Sequence, residues 1–165
     1  MPKVAHTFTI RNVQLTDIAE VYKLLVANRP YVGLNSRYTY FLLARDFHET
    51  CMVALDGGRI IAFSSGYVPP GRPDTFFSWE VVVDKEYRGK RLARTLLLQQ
   101  LKMTGAKYLE GTVNPSNEAS KRSFKEIASL LKAGHSEQVL FSEADFGNDG
   151  HEAEVLHRIG PIKWA

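Results

Sequence analysis

A chain of 165 residues is long enough for one ordinary domain, and at that length folding buries roughly two-thirds of the surface an unfolded chain exposes. A formal charge of +3, with no Lys/Arg run interleaved with aromatics, argues against nucleic acid as a partner. No apolar stretch nears the ~20 residues that span a bilayer, the first residues lack the series of a signal peptide, and the lone Cys51 excludes an internal disulfide; a cytoplasmic protein with no membrane partner and an inert, buried thiol is expected.

Residues 7–13 alternate in polarity and predict a strand, followed by a helix from Thr16 and Asp17 to Asn28, which Arg29 and Pro30 end. A loop over 30–35 leads to a second helix over 36–47, where Tyr40, Leu43, Ala44 and Phe47 recur at helical spacing behind Ser36 as cap. Residues 51–67, broken by Asp56, Gly57 and Gly58, read as strand, turn and strand. After a turn over 69–74, residues 76–83 are apolar enough for a central strand buried on both faces.

The pattern then turns helical over 90–103, with Leu92, Ala93, Leu96, Leu97 and Leu101 as the apolar stripe and Gly105 as the stop. Residues 107–113 form the next strand. Asn114 and Pro115 break it, Ser116 or Asn117 caps a helix to Leu131, and Gly134 ends that helix. Two last strands, over 135–141 and 153–160, flank a polar loop over 142–150. This order calls for an α/β fold, a mixed sheet covered by helices, in a single domain whose core spans about residues 7–161.

The chemistry concentrates at residues 84–94, DKEYRGKRLAR, where a strand runs into the start of a helix. Free backbone N–H groups and the helix dipole make such a junction an anion site. Arg88, Lys90, Arg91 and Arg94 crowd a helix end where each cation is disfavoured by roughly a few tenths of a kcal/mol, which makes sense if an anion binds there. Gly89 lets the backbone approach closely. On charge pattern alone, a solvated basic turn explains the segment as well.

This stretch resembles the pyrophosphate-binding turn, R/Q-x-x-G-x-G/A, of GNAT-type N-acetyltransferases: Arg88, Leu92 and Ala93 match, and Arg91 stands where the middle glycine is usual. The resemblance implies that Arg88, Gly89, Lys90, Arg91, Leu92 and Ala93, with Arg94 beside them, hold the acetyl-CoA pyrophosphate through main-chain N–H groups. It also implies that Val81, Val82 and Val83 meet the cofactor, with a strand N–H near Val81 or Val82 taking the oxyanion. The family fold implies a sheet splayed between strands 76–83 and 107–113, with acetyl-CoA in the gap. Residues 114–124, NPSNEASKRSF, are similar to a second family motif, in which Asn117 meets the pantetheine arm and Ser120 lies one turn on; Asn117 reads equally as a helix cap. Phe124 occupies the position of a tyrosine that commonly protonates the departing thiolate, so that acid is missing.

Over about residues 7–161 the chain further resembles the L-2,4-diaminobutyrate acetyltransferases of ectoine biosynthesis. The marks are LNSRYTYFLL at 34–43, FSSGYVPP at 63–70, FSWEVVVD at 77–84, NPSNEASKRSF, and HEAEVLHRIGP at 151–161. The implied reaction transfers acetyl from acetyl-CoA to the side-chain (γ) amine of L-2,4-diaminobutyrate, in a homodimer. Acetylation of another small amine or polyamine, or non-catalytic acetyl-CoA binding, are the alternatives. An ammonium of pKa about 10 is neutral in roughly one molecule per thousand at pH 7, so freeing it costs roughly 4 kcal/mol and a carboxylate is expected. Glu80 and Glu154 are the candidates, Glu80 first. Trp79 walls the acceptor pocket or belongs to the core, and Asn35, Ser36, Tyr38, Tyr40, Asn114 and His151 offer hydrogen bonds to the substrate. No metal is expected: His151 and His157, six residues apart on a strand, would lie about 20 Å from each other, and HEAEVLH lacks the i, i+4 spacing of HExxH.

Overall fold

A computed structural model of the protein describes residues 7–30 and 33–165. The chain forms two compact units, the first made of the N-terminal part up to Tyr67 together with Glu80–Met103, the second of Val68–Trp79 with Thr104–Ala165. Strand β4 (Thr75–Val83) contributes to both.

In the first unit, strands β1 (Thr9–Asn12), β2 (Met52–Asp56) and β3 (Arg59–Tyr67) pair in that order, antiparallel, and the C-terminal part of β4 follows β3. Gly57 and Gly58, both at positive φ (54° and 83°), make the tight β2–β3 turn that the Asp-Gly-Gly signal predicts. Helices α1 (Ile18–Ala27) and α2 (Arg37–Asp46) supply Ile18, Val21, Leu25, Tyr40 and Leu43 to one apolar cluster with Val53, Phe63 and Val82. Helix α3 (Leu92–Thr104) packs Leu92 and Leu96 into a second cluster with Met52, Ala54 and Ile61, against which Val83 lies. Alternation along β4 therefore sends Val82 to one cluster and Val83 to the other.

The second unit holds the first part of β4, β5 (Tyr108–Val113), β7 (Glu154–Ile159) and β6 (His135–Phe141), paired in that order, and helix α4 (Glu118–Leu131). β4 pairs with β5 in parallel at Thr75–Phe77, whereas β5–β7 and β7–β6 are antiparallel. Glu110 on β5 is only 3 % exposed and is held by Arg72 and Arg158, whose guanidinium also lies over the Tyr108 ring. The two guanidinium groups pair with this carboxylate inside the unit and offset its desolvation. No helix among the described residues is long and apolar enough to cross a membrane.

The elements stand where the sequence places them, with four corrections. α3 begins at Leu92 and not at Lys90, because Gly89 and Arg91 both take left-handed backbone (φ 77° and 62°) and delay the first helical turn. Its buried stripe includes Gln100 in place of Ala93, which is exposed; the amide accepts from Ser64 Oγ at 2.6 Å and donates to the Thr50 and Ser64 carbonyls, so a polar side chain replaces an apolar one without an unpaired group. α4 is closed by Lys132 at φ 50°, two residues before Gly134. β4 is not buried throughout: Trp79 is 42 % exposed. Cys51 lies just before β2, fully buried, and burial pushes its thiol up to about 11, which keeps it inert.

Gly160 ends β7 at φ 150° with no room for a side chain: a Cβ there would stand 2.6 Å from the Lys107 carbonyl oxygen and against the Tyr108 ring. Backbone cannot give way as a side-chain tip can. Gly160→Ala is expected to cost about 2–3 kcal/mol, a melting temperature lower by roughly 4–12 °C in a thermal scan; an unchanged melting temperature would refute this packing.

Candidate active site

Glu80 opens the part of β4 that belongs to the first unit, and its carboxylate is the most constrained polar group there. Tyr40 Oη donates to Glu80 Oε2 at 2.9 Å, with a longer contact to Oε1 at 3.3 Å. Asn35 Nδ2 donates to Oε1 at 2.7 Å, while the Asn35 backbone N–H donates to Tyr40 Oη at 3.2 Å. The Glu80 N–H in turn donates to Ser65 Oγ at 3.2 Å. Tyr40 is fully buried with its ring edge-on to Phe63 and Tyr22, so this donor is part of the core.

Helix α2 explains how these groups are aimed. Ser36 caps it, accepting from Thr39 N, which puts Tyr40 on the first turn facing β4 and leaves Asn35 just ahead of the helix. Burial pushes the Glu80 carboxyl above its usual range, and the two donors hold part of that rise back. Burial also pushes Tyr40 up to about 12, so the phenol stays a hydrogen-bond donor at any physiological pH.

Two neighbouring candidates separate from this cluster. The Ser36 hydroxyl is committed to the helix cap and to Thr39 Oγ1, and Tyr38 is 69 % exposed. Tyr31 and Val32, in the expected 30–35 loop, lie outside the described residues.

The strand-to-helix turn over residues 84–94 has an unusual backbone. The first helical bond recorded at the start of α3 runs from Thr95 N–H to the Arg91 carbonyl, so the N–H groups of Leu92, Ala93 and Arg94 precede any carbonyl one turn back. With Gly89 and Arg91 both left-handed, the main chain over 89–94 presents a curved set of donors of the kind that seats phosphates. Arg91 thus takes the conformation a glycine would supply and adds a guanidinium, at the modest cost of a left-handed non-glycine residue. Arg88 is the exception among the cations. Its Nη2 donates to Asn28 Oδ1 at 2.5 Å and its Nε to the Val83 carbonyl at 3.4 Å, so this side chain clamps the turn to the end of α1. Lys90 projects over the Tyr87 ring at 5.1 Å. Val82 is core, and Val81 and Val83 are half-buried beside it.

In the second unit, Asn117 caps α4 by accepting from Ser120 N–H at 3.1 Å, which confirms the cap and commits the Oδ1 half of the amide. One turn further on, Phe124 lies over Gly111: a Cβ on that glycine would meet the ring tip at 2.6 Å and the Ser78 carbonyl oxygen at 3.3 Å. The ring also lies against His157, centroids 5.1 Å apart. Asn114 donates to the Ala153 carbonyl at 3.2 Å. His151 Nε2 is 3.6 Å from Glu154 Oε1, and Phe146 stacks on the His151 ring at 4.0 Å. The structure therefore joins two predicted candidates, His151 and Glu154, and adds Phe146 and Glu152, which binds the backbone N–H and hydroxyl of Ser116. Phe146 had no sequence signal, since it sits in what reads as a polar loop, and Glu152 lies in the 151–161 stretch without having been singled out.

The chain matches the model of the acetyltransferase (GNAT) family over residues 18–128. The L-2,4-diaminobutyric acid acetyltransferase of Bordetella parapertussis is 40 % identical over 165 residues, 98 % of this chain and 88 % of that protein. The Streptomyces coelicolor protein of the same name is 44 % identical over 136 residues, 79 % of this chain and 80 % of that one. Among solved structures, the diaminobutyrate acetyltransferase EctA of Paenibacillus lautus, in complex with L-2,4-diaminobutyric acid and coenzyme A, matches with a TM-score of 0.88 at 32 % identity, covering 98 % of this chain and 99 % of that one.

The raised Glu80 carboxyl has a stability consequence of definite sign. A group whose pKa is higher folded than unfolded favours the fold fully below the unfolded value, about 4.3 for Glu, and loses that contribution as pH rises through the folded value. The melting temperature of wild type is therefore expected to fall relative to that of Glu80→Gln as pH rises from about 4.3. A difference that stays flat, or grows in favour of wild type, contradicts the assignment.

Proposed function

We infer, from a chain that belongs to the acetyltransferase (GNAT) family and within it to the L-2,4-diaminobutyric acid acetyltransferases, that the protein transfers the acetyl group of acetyl-CoA to the side-chain amine of L-2,4-diaminobutyrate, giving the Nγ-acetyl product of ectoine biosynthesis. The observation that carries the residue assignment is the Glu80 carboxylate, half-buried and held by Tyr40 and Asn35. An ammonium substrate must lose a proton before it can attack a thioester. A carboxylate whose pKa is lifted by burial is a better acceptor for that proton than an exposed one, and the two donors, Tyr40 and Asn35, stabilise its charged form.

In this reading Glu80 takes the ammonium proton, directly or through water, while Asn35 and Tyr40 fix its orientation. Trp79, exposed on β4 beside it, and Tyr38 line the acceptor site. Glu154 with His151 bears on the substrate's second charged group. Asn114, bound to the Ala153 carbonyl, holds the segment before β7 in place, and Ser36 serves as a cap for α2. The main chain from Gly89 to Arg94 holds the pyrophosphate of acetyl-CoA, which supplies an activated acyl thioester. Val81, Val82 and Val83 line its acyl end, with a main-chain N–H near Val81 or Val82 stabilising the oxyanion. Asn117 and Ser120 serve the pantetheine arm. Phe124 has no proton to give, so the thiolate leaves unassisted or is protonated by water.

We read residues 1–165 as one acetyltransferase domain, cytoplasmic and homodimeric. The dimer is supported by β6, an edge strand on which Val139, Leu140 and Phe141 are all strongly exposed.

Two measurements test this reading. Incubation with acetyl-CoA and, separately, diaminobutyrate, ornithine, lysine and spermidine, followed by thiol release, should show selective turnover of diaminobutyrate; preference for spermidine or lysine would refute the acceptor. Glu80→Gln should lower kcat/KM by about 10²–10⁴-fold at neutral pH, and full activity in that variant removes Glu80 as the proton acceptor.

A further inference from the structure

The spacing argument that keeps His151 and His157 apart does not apply to His135, because His135 and His157 lie on adjacent, directly paired strands. His135 and Glu137 are two residues apart on β6 and so project from one face. On β7, His157 stands in register opposite Glu137 and diagonal to His135. The side chains converge: His135 Nε2 lies 2.9 Å from His157 Nδ1, and Glu137 Oε1 lies 3.7 Å from the same nitrogen. One donor atom from each of the three residues falls within 4.8 Å of the others.

We propose that His135, Glu137 and His157 form a binding site for a divalent transition ion of the zinc class, distinct from the acetyl-transfer chemistry. Zinc at about 2.0–2.2 Å from nitrogen and oxygen ligands in tetrahedral geometry needs donors about 3.3 Å apart, which the observed separations bracket. Two imidazoles and one carboxylate form a ligand set suited to zinc, cobalt or nickel and poorly suited to magnesium or calcium. On binding, the ring that now donates in the His135–His157 hydrogen bond moves its proton to its other nitrogen. Both imidazoles then offer lone pairs as neutral ligands, and a water completes the fourth position on the side of the exposed Glu137.

The surroundings favour a preset site on one flank. His157 is 1 % exposed, with the Phe124 and His135 rings tilted against it at centroid distances of 5.1 and 5.2 Å, so its ring is held in place before any ion arrives. Lys121 and Lys125 of α4 oppose a cation there, while Glu118 pairs with Lys121 at 3.1 Å and offsets part of that charge. The ion would tie the edge strand β6 to β7 at the ring that Phe124 packs against.

The test uses the untagged full chain, stripped by chelator and dialysed, titrated with zinc chloride in a calorimeter and with cobalt chloride in a spectrophotometer. Expected are one zinc per chain and the visible bands of four-coordinate cobalt, both weakened more than tenfold in His135→Ala and in Glu137→Gln, with diaminobutyrate acetylation by the metal-free variants retained. Glu137→Gln keeps the histidine pair and sits at an exposed position, so its result holds even if His135→Ala folds poorly. No saturable zinc uptake, or uptake equal in wild type and Glu137→Gln, overturns the proposal.

Discussion

The constraint on which the proposed site depends is a half-buried carboxylate kept chargeable by the donors around it. Glu80 is buried enough for its pKa to rise, and without donors its charged form would bear the full cost of desolvation. Asn35 and Tyr40 stabilise the charge with short hydrogen bonds, and those donors are fixed in turn: Tyr40 by a fully packed ring, Asn35 by its own N–H on the Tyr40 oxygen. A helix cap at Ser36 thus has a chemical consequence four residues away, because it sets the turn on which Tyr40 rides.

The cofactor turn applies the same economy to the main chain. Its donors are unpaired helix-start N–H groups, and its curvature comes from two left-handed residues, one of them Arg91. An arginine where the family's glycine is usual exchanges conformational ease for a fixed positive charge at the turn proposed to hold the diphosphate. Arg88 shows the opposite use of a cation. It binds Asn28 and the Val83 carbonyl and so anchors the turn, although its place in the motif marks it as a ligand residue.

Much of this was legible in the sequence, and for a physical reason. Secondary structure follows local periodicity and punctuation, so the Gly57-Gly58 turn, the Ser36 and Asn117 caps and the β4-to-α3 junction stand where the residues predict. Family motifs then supplied Glu80, Tyr40 and Asn35 as separate candidates. What no local pattern carries is pairing between residues distant along the chain: the 45 positions between Asn35 and Glu80, or the Arg72–Glu110–Arg158 cluster. Polar residues satisfied inside the fold, such as Gln100, read as surface because a sequence shows the polar atom and not its partner. The His135–Glu137–His157 cluster escaped for the same reason, being a property of strand register.

The account stands most directly on the charge state of Glu80. With glutamate labelled at the side-chain carboxyl by carbon-13, and Glu80 assigned by its loss in Glu80→Gln, an NMR titration of the whole protein reads that group alone. The account predicts a midpoint above the ordinary value of about 4.3, moved further up in Tyr40→Phe, where one stabilising donor is gone. A midpoint at or below 4.3, or one that Tyr40→Phe leaves in place, would contradict it.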